Sequence, residues 1–248
     1  MLFLLPLLAA LSATQPATAP RAATHPTTAR VLIVTGREHP AHNWRETSRH
    51  LATFLAEDSR LHVTLVTDPD YLKSPDLATY QTIVLNYMNW QAPDPGDAAR
   101  ANLQRFVANG GGLVLVHFAC GAFQGWPEFL NIAGRIWDPK LPPHDPRGAF
   151  RVNITHPDHP ITLGLADFHT DDELYTCLAG DRPIDLLATA TSRLDGKPHP
   201  MAFTRTYGQG RVFLSTLGHD VKALSPAPVQ TLYRRATAWT AHLPIIEP

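Results

Sequence analysis

The chain has 248 residues, 44% of them hydrophobic and 17% charged, which is enough apolar material for one sizeable core. Its formal charge is −1 with the 13 histidines counted neutral, and no basic stripe is visible, so attraction to a nucleic-acid backbone has no electrostatic source. Nucleic acid is therefore excluded as an expected partner.

The first segment, MLFLLPLLAALSA, is apolar and ends in small residues. It is too short to span a bilayer and is expected to be a signal peptide, cut between Ser12 and Ala19. Thr14–Thr28 follows as a flexible Pro/Ala/Thr-rich lead-in. The expectation is a leader over residues 1–28, export to the periplasm or medium, and one folded domain over 29–245 with no membrane attachment after cleavage.

From Arg30, RVLIVTG is a wholly apolar run ending in glycine, as a strand buried on both faces would be. Trp44 to Asp58 places Thr47, Leu51, Phe54 and Leu55 at helical spacing. LHVTLVTD and TIVLNY are the next two strands. A helix opening at Asp97 puts Leu103, Phe106 and Val107 on one face and stops at the glycines from Gly110. GLVLVH (Gly112–His117) is the fourth strand. Apolar strands alternating with amphipathic helices imply βαβ units and a parallel sheet.

The second half is less regular. FRVNIT, DLLATAT, MAFTRTY and RVFLSTL have strand patterns, the last two joined by Gly208-Gln209-Gly210 as a hairpin turn. A final helix from about Pro228 buries Val229, Leu232, Tyr233, Ala236 and Trp239.

Ligands of open parallel sheets sit at the carboxyl ends of the strands. That rule selects Gly36–Trp44, Asn86–Trp90 and His117–Trp126, where the unusual residues of the first half gather. In the first loop His42, Asn43 and Trp44 suit a hydroxyl-rich ligand, the ring covering C–H faces and the amide bonding hydroxyls. Equally, His42 or Asn43 could cap the helix while Trp44 fills the crevice. His117 arrives at the mouth of the sheet as a metal ligand, an acid/base, or a histidine bonded within the fold. Cys120 lacks a G-x-C-x-G elbow and is not expected to be a nucleophile. Asp171, Asp172 and Glu173 read by default as a solvated loop, with pairing to distant histidines as the alternative. Gly218-His219-Asp220 ends another strand. His117, His219 and Glu173 together would be a credible ligand set for zinc or a similar divalent ion. Whether Cys120 and Cys177 pair is left open by their spacing.

HNWRET, GGGLVLVHFA with GWPEF, the HPIT-x-GL stretch with DELY, and YGQGRVFLSTLGHD, in that order, resemble the ThuA-like (trehalose utilisation) family. The resemblance covers most of residues 30–243. It implies a flavodoxin-like, class I glutamine amidotransferase-like α/β fold, a three-layer sandwich with a mostly parallel central sheet. It also implies action on carbohydrate, as a hydrolase or lyase of a glycoside or 3-keto-sugar. In that frame His117 stands where amidotransferases hold their cysteine, His219 resembles their histidine loop, and Glu173 is a pocket acid. Phe118 replaces a small residue and narrows the pocket. The expected site therefore has His117, His219 and Glu173 as catalytic or metal-binding residues. His42, Asn43, Trp44, Asn86, Trp90, Trp126 and Asp172 are expected to line the sugar cleft. The alternative is a non-catalytic sugar-binding module with the same cleft.

Overall fold

The computed structural model describes residues 26–89 and 91–245; the expected signal peptide and Trp90 lie outside the described residues. The first half runs β1 (Ala29–Val34), α1 (Trp44–Leu55), β2 (Leu61–Val66), β3 (Thr82–Leu85), α2 (Asp97–Ala108) and β4 (Gly112–Val116). Then come α3 (Pro127–Ala133), β5 (Ile136–Trp137), β6 (Gly148–Ile154), β7 (Phe168–Asp172) and β8 (Leu178–Ala179). The chain continues through β9 (Asp185–Thr191), β10 (Pro198–Tyr207), β11 (Gly210–Ser215), α4 (Val221–Leu224) and α5 (Ala227–Thr240).

One sheet has the order β2-β1-β3-β4-β11-β10-β9-β6-β7. Its first five strands pair in parallel, as the βαβ pattern requires. Beyond β11 the sheet continues antiparallel through β10, β9, β6 and β7. The parallel sheet inferred from the first half thus carries an antiparallel wing, because the second half connects its strands by turns and loops rather than by crossover helices.

Side chains alternate across each strand, so β1 sends Val31 and Ile33 to one face and Leu32 and Val34 to the other. The first face is covered by α1 and α5 through Leu51, Phe54, Leu55, Leu232 and Tyr233. The second is covered by α2 and α3 through Leu103, Val107, Phe129 and Ile132. Each such side chain contributes about 1.5–3 kcal/mol by leaving water. The result is a three-layer α/β sandwich. Gly208 and Gln209 form the β10–β11 turn, closed by pairing of Tyr207 with Gly210. A Cβ on Gly210 would stand 2.1 Å from the Val107 carbonyl oxygen, so that strand start must be glycine.

β7 corrects the solvated-loop reading of the acidic run. Its strand periodicity separates the acids: Asp172 is buried, whereas Asp171 sits on the outer side with Lys222 at 2.7 Å. Cys120 and Cys177 are both buried free thiols. Burial pushes the Cys120 thiol well above its ordinary range and Cys177 up to about 12, so neither is a thiolate. Among the described residues no helix is long and apolar enough to cross a membrane.

Candidate metal centre and its cavity

β4 ends at Val116, and the chain turns at once into a 3-10 turn over His117–Gly121. His117 takes a positive φ of 46° there, a conformation that costs a non-glycine residue energy and that packing must hold. The packing is visible: His117 is fully buried, and its Nδ1 lies 2.6 Å from the Thr216 carbonyl oxygen just beyond β11. A carbonyl only accepts, so Nδ1 carries a proton, and in the neutral ring Nε2 is bare.

Nε2 of His117 faces His42 Nε2 at 3.2 Å, Tyr175 Oη at 3.0 Å and Glu173 Oε2 at 3.4 Å. The His42 tautomer follows from its other side. The Ala41 N–H donates to His39 Nδ1 (3.1 Å), so that nitrogen is an acceptor. His42 Nδ1, 2.7 Å from it, must therefore be the donor, which leaves His42 Nε2 bare as well. Two unprotonated imidazole nitrogens thus point at each other beside a carboxylate oxygen. Neutral rings in these tautomers have no proton to share between them; a cation does satisfy all three.

His219 completes the group. Its Nδ1 lies 3.1 Å from Glu173 Oε2 yet is buried without a hydrogen bond of good geometry. One ligand atom from each of His42, His117, Glu173 and His219 lies within 4.8 Å of all the others. Three imidazoles and one carboxylate, mostly buried and with fixed outer partners, could hold a divalent ion.

The electrostatics agree with that use. Burial, with His117, His39 and His219 around it, pushes His42 down to about 2, so its ring is neutral in any ordinary medium. Burial works to raise the Glu173 carboxyl, but contacts with His117 and His219 outweigh it and hold the group well below the usual carboxylate range. The Glu173 contact raises His219 against the opposing effect of burial. Asp172 sets the loop that carries His219. Its carboxylate accepts the backbone N–H groups of Gly218 (2.7 Å), His219 (3.2 Å) and Glu173 (2.8 Å). Gly218 makes the turn at φ 120°, and a Cβ there would meet Leu224 at 2.8 Å. Asp220 caps α4 by accepting from Ala223 N–H and pairs with Arg147 at 2.6 Å.

Beside the group lies a cavity of about 320 Å³, lined in part by His39, His42, Phe118, His144, Glu173 and Tyr175. Phe118 stacks on the His42 ring, 4.4 Å between centroids and 6° from parallel. His144 and Tyr175 reach the cavity together because an isolated antiparallel bridge pairs them. His144 Nδ1 donates to the Asp145 carbonyl oxygen at 2.7 Å, leaving Nε2 bare, 3.6 Å from Glu173 Oε1.

Of the residues singled out from sequence, His117, His219, Glu173 and His42 come together, His42 both lining the cavity and standing as a fourth ligand candidate. Several others belong to the scaffold. Asn43 caps α1 by accepting from the Glu46 N–H. The Asn86 amide is fully buried and donates to Thr47 and Ser48 on α1. Trp44 is buried and packs with Met88 and Phe118 behind the cavity. Trp126 packs on Phe123 and Phe129. Asp172 positions backbone and does not face a ligand. Tyr175, His39 and His144 were missed. Tyr175 had a readable signal, because residues two apart in extended chain share a face with Glu173 between neighbours. His39 and His144 lie in loops with no period.

Because His39 fixes the His42 tautomer, His39→Ala is expected to weaken binding of a divalent ion by about 10–100-fold. Titration of the metal-free variant with zinc measures it; an unchanged dissociation constant would show that His42 is oriented by other groups.

The three-layer α/β sandwich, with an imidazole cluster at its strand ends, has a class I amidotransferase-like fold. The family model for ThuA (trehalose utilisation) matches residues 30–240, and the chain belongs to that family. A ThuA-like protein from Parabacteroides merdae superposes with a TM-score of 0.77 at 27% identity, covering 86% of this chain and 90% of its own. Another from Bacteroides uniformis gives 0.70 at 18% identity, covering 90% and 95%. A β-galactosidase from Rahnella sp. R3 gives 0.60 at 14% identity over 88% of this chain and 32% of its own, a likeness of fold alone. No curated protein matches the sequence.

Proposed function

We propose that the protein is an exported, metal-dependent enzyme that cleaves a 3-keto-glycoside by elimination. One observation carries the reading: two bare imidazole nitrogens and an anionic carboxylate converge at the wall of a ligand-sized cavity. His42, His117, His219 and Glu173 would hold the ion, zinc or a similar one. When bound, it would stabilise the negative charge that develops on a carbonyl oxygen of the sugar.

The remaining steps fall to the chain. A ring carbonyl acidifies the neighbouring C–H. His144, whose bare Nε2 faces the cavity, takes that proton. The C–H electron pair forms a carbon–carbon double bond as the bond to the aglycone oxygen breaks, and the aglycone leaves with a proton returned from His144. The Tyr175 hydroxyl, kept neutral because burial pushes it well above its ordinary range, donates a hydrogen bond to a sugar oxygen. Export rests on the apolar leader; an N-terminus of the secreted protein outside Ser12–Ala19 would count against the expected cut.

The test is incubation of the zinc-loaded protein with 3-keto-glucosides, reading aglycone release and enone absorbance. Turnover lost on chelation and restored by metal is expected. Binding without conversion under any divalent metal would give the site to a non-catalytic sugar-binding module.

A further inference from the structure

The cavity wall divides into two connected parts. His42, Glu173 and Tyr175 meet at His117, while His39 bonds His42 and His144 approaches Glu173, so the polar groups form one patch. Opposed to them in kind are Met88, Phe118 and Trp137, which pack as one apolar cluster with Trp44. The two parts join where Phe118 stacks on His42.

Two absences among the described lining residues restrict the ligand. No lysine or arginine lines the cavity, so a phosphate or carboxylate carried on a part of the ligand away from the metal ligands would find no cation from the chain. Outside the polar patch, no side-chain amide or hydroxyl lines it either. Aromatic rings do cover the C–H faces of sugars, but the hydroxyl edges need partners of their own. A second, fully hydroxylated ring against Met88, Phe118 and Trp137 would lose its water with only the Trp137 indole N–H among these three side chains to replace it. At about 320 Å³ the space is near the lower end of ligand pockets, roughly 300–1,000 Å³, so little water could stay to compensate.

We propose that this cavity selects a neutral monosaccharide glycoside with an aryl or alkyl aglycone over a disaccharide such as trehalose and over any phosphorylated sugar. The sugar lies at the polar patch and the aglycone against Met88, Phe118 and Trp137. Which end holds the sugar rests on the function proposed above; the discrimination itself rests on the wall.

Calorimetry on the zinc-loaded full chain with phenyl glucosides of both anomeric configurations, trehalose and glucose 6-phosphate tests it. At least one phenyl glucoside should bind about tenfold or more tightly than trehalose, with glucose 6-phosphate weaker still. Trehalose or the phosphate binding as well as the phenyl compounds overturns the proposal, as does binding of none of them. Selective binding without turnover of the 3-keto forms would sink the catalytic reading and leave the specificity intact. Trp137→Gln, or Met88→Gln should that variant not fold, should erase the phenyl preference while the metal content stays unchanged. A folded variant with its preference intact would overturn the placement of the aglycone.

Discussion

Elemental analysis of the purified protein is expected to find close to one divalent ion per chain, and His219→Ala and Glu173→Gln are each expected to release it. The proton count at the site requires it. Thr216 fixes the His117 proton on Nδ1, and the His39–Ala41 arrangement fixes the His42 proton on its own Nδ1. Both Nε2 lone pairs, with Glu173 Oε2, then need a positive partner that the chain supplies only in part, through the Tyr175 hydroxyl near His117 and the His219 ring beside Glu173. Loss of a direct ligand should exceed the 10–100-fold that loss of an outer partner costs, so affinity and turnover should fall more than about 100-fold. Glu173→Gln is the sharper variant, because it keeps the shape and removes the charge. His117→Ala is less clean, since it also leaves the buried Thr216 carbonyl without its donor. A metal-free wild-type protein that takes up no zinc, manganese or nickel on titration would refute the centre. So would variants that keep the ion at full occupancy.

Asp172→Ala is expected to cost both stability and metal affinity, although Asp172 lies outside the ligand group. The buried carboxylate gathers three backbone N–H groups, two of them from the Gly218–His219 turn. Removing it strands those donors away from water, a loss of about 2–4 kcal/mol. For a domain of this size that is a fall of roughly 5–15 °C in melting temperature, read by calorimetry. The turn carrying His219 would relax at the same time, and zinc affinity should drop with it. Asp172→Asn should recover only part of either loss, because one arm of the amide is a donor facing another donor. A variant that melts lower but binds zinc as tightly as wild type would show that the turn holds its shape without the carboxylate.

These two sites differ in how far they could be read in advance. His117 and His219 were visible because each follows an apolar strand, and a parallel sheet delivers strand ends to one edge. Glu173 was visible as an acid beside an apolar pair. Asp172, its neighbour, was misassigned to the ligand cleft: the strand periodicity that turns it inward belongs to β7, whose register against β6 no local pattern announces. Asn86 was misassigned for a related reason, while for Asn43 the helix cap was one of two readings left open. An amide that caps a helix or ties α1 to β3 has the same chemistry as one that binds a hydroxyl, and only its neighbours tell them apart.

By itself the sequence determined the alternating α/β architecture, the parallel sheet of β1, β2, β3 and β4 without their order, and the edge of the sheet on which a site was expected. It could do so because burial on one or both faces writes a period of two or 3.6 residues into the chain. Tertiary structure alone decided the strand order, the antiparallel wing beyond the β10–β11 hairpin, the tautomers of His117 and His42, and the cavity lining by His39, His144 and Tyr175. Those depend on contacts such as His117 with Thr216, 99 residues apart, and with His42, 75 apart, in loops where no repeating pattern records which side chain will meet which.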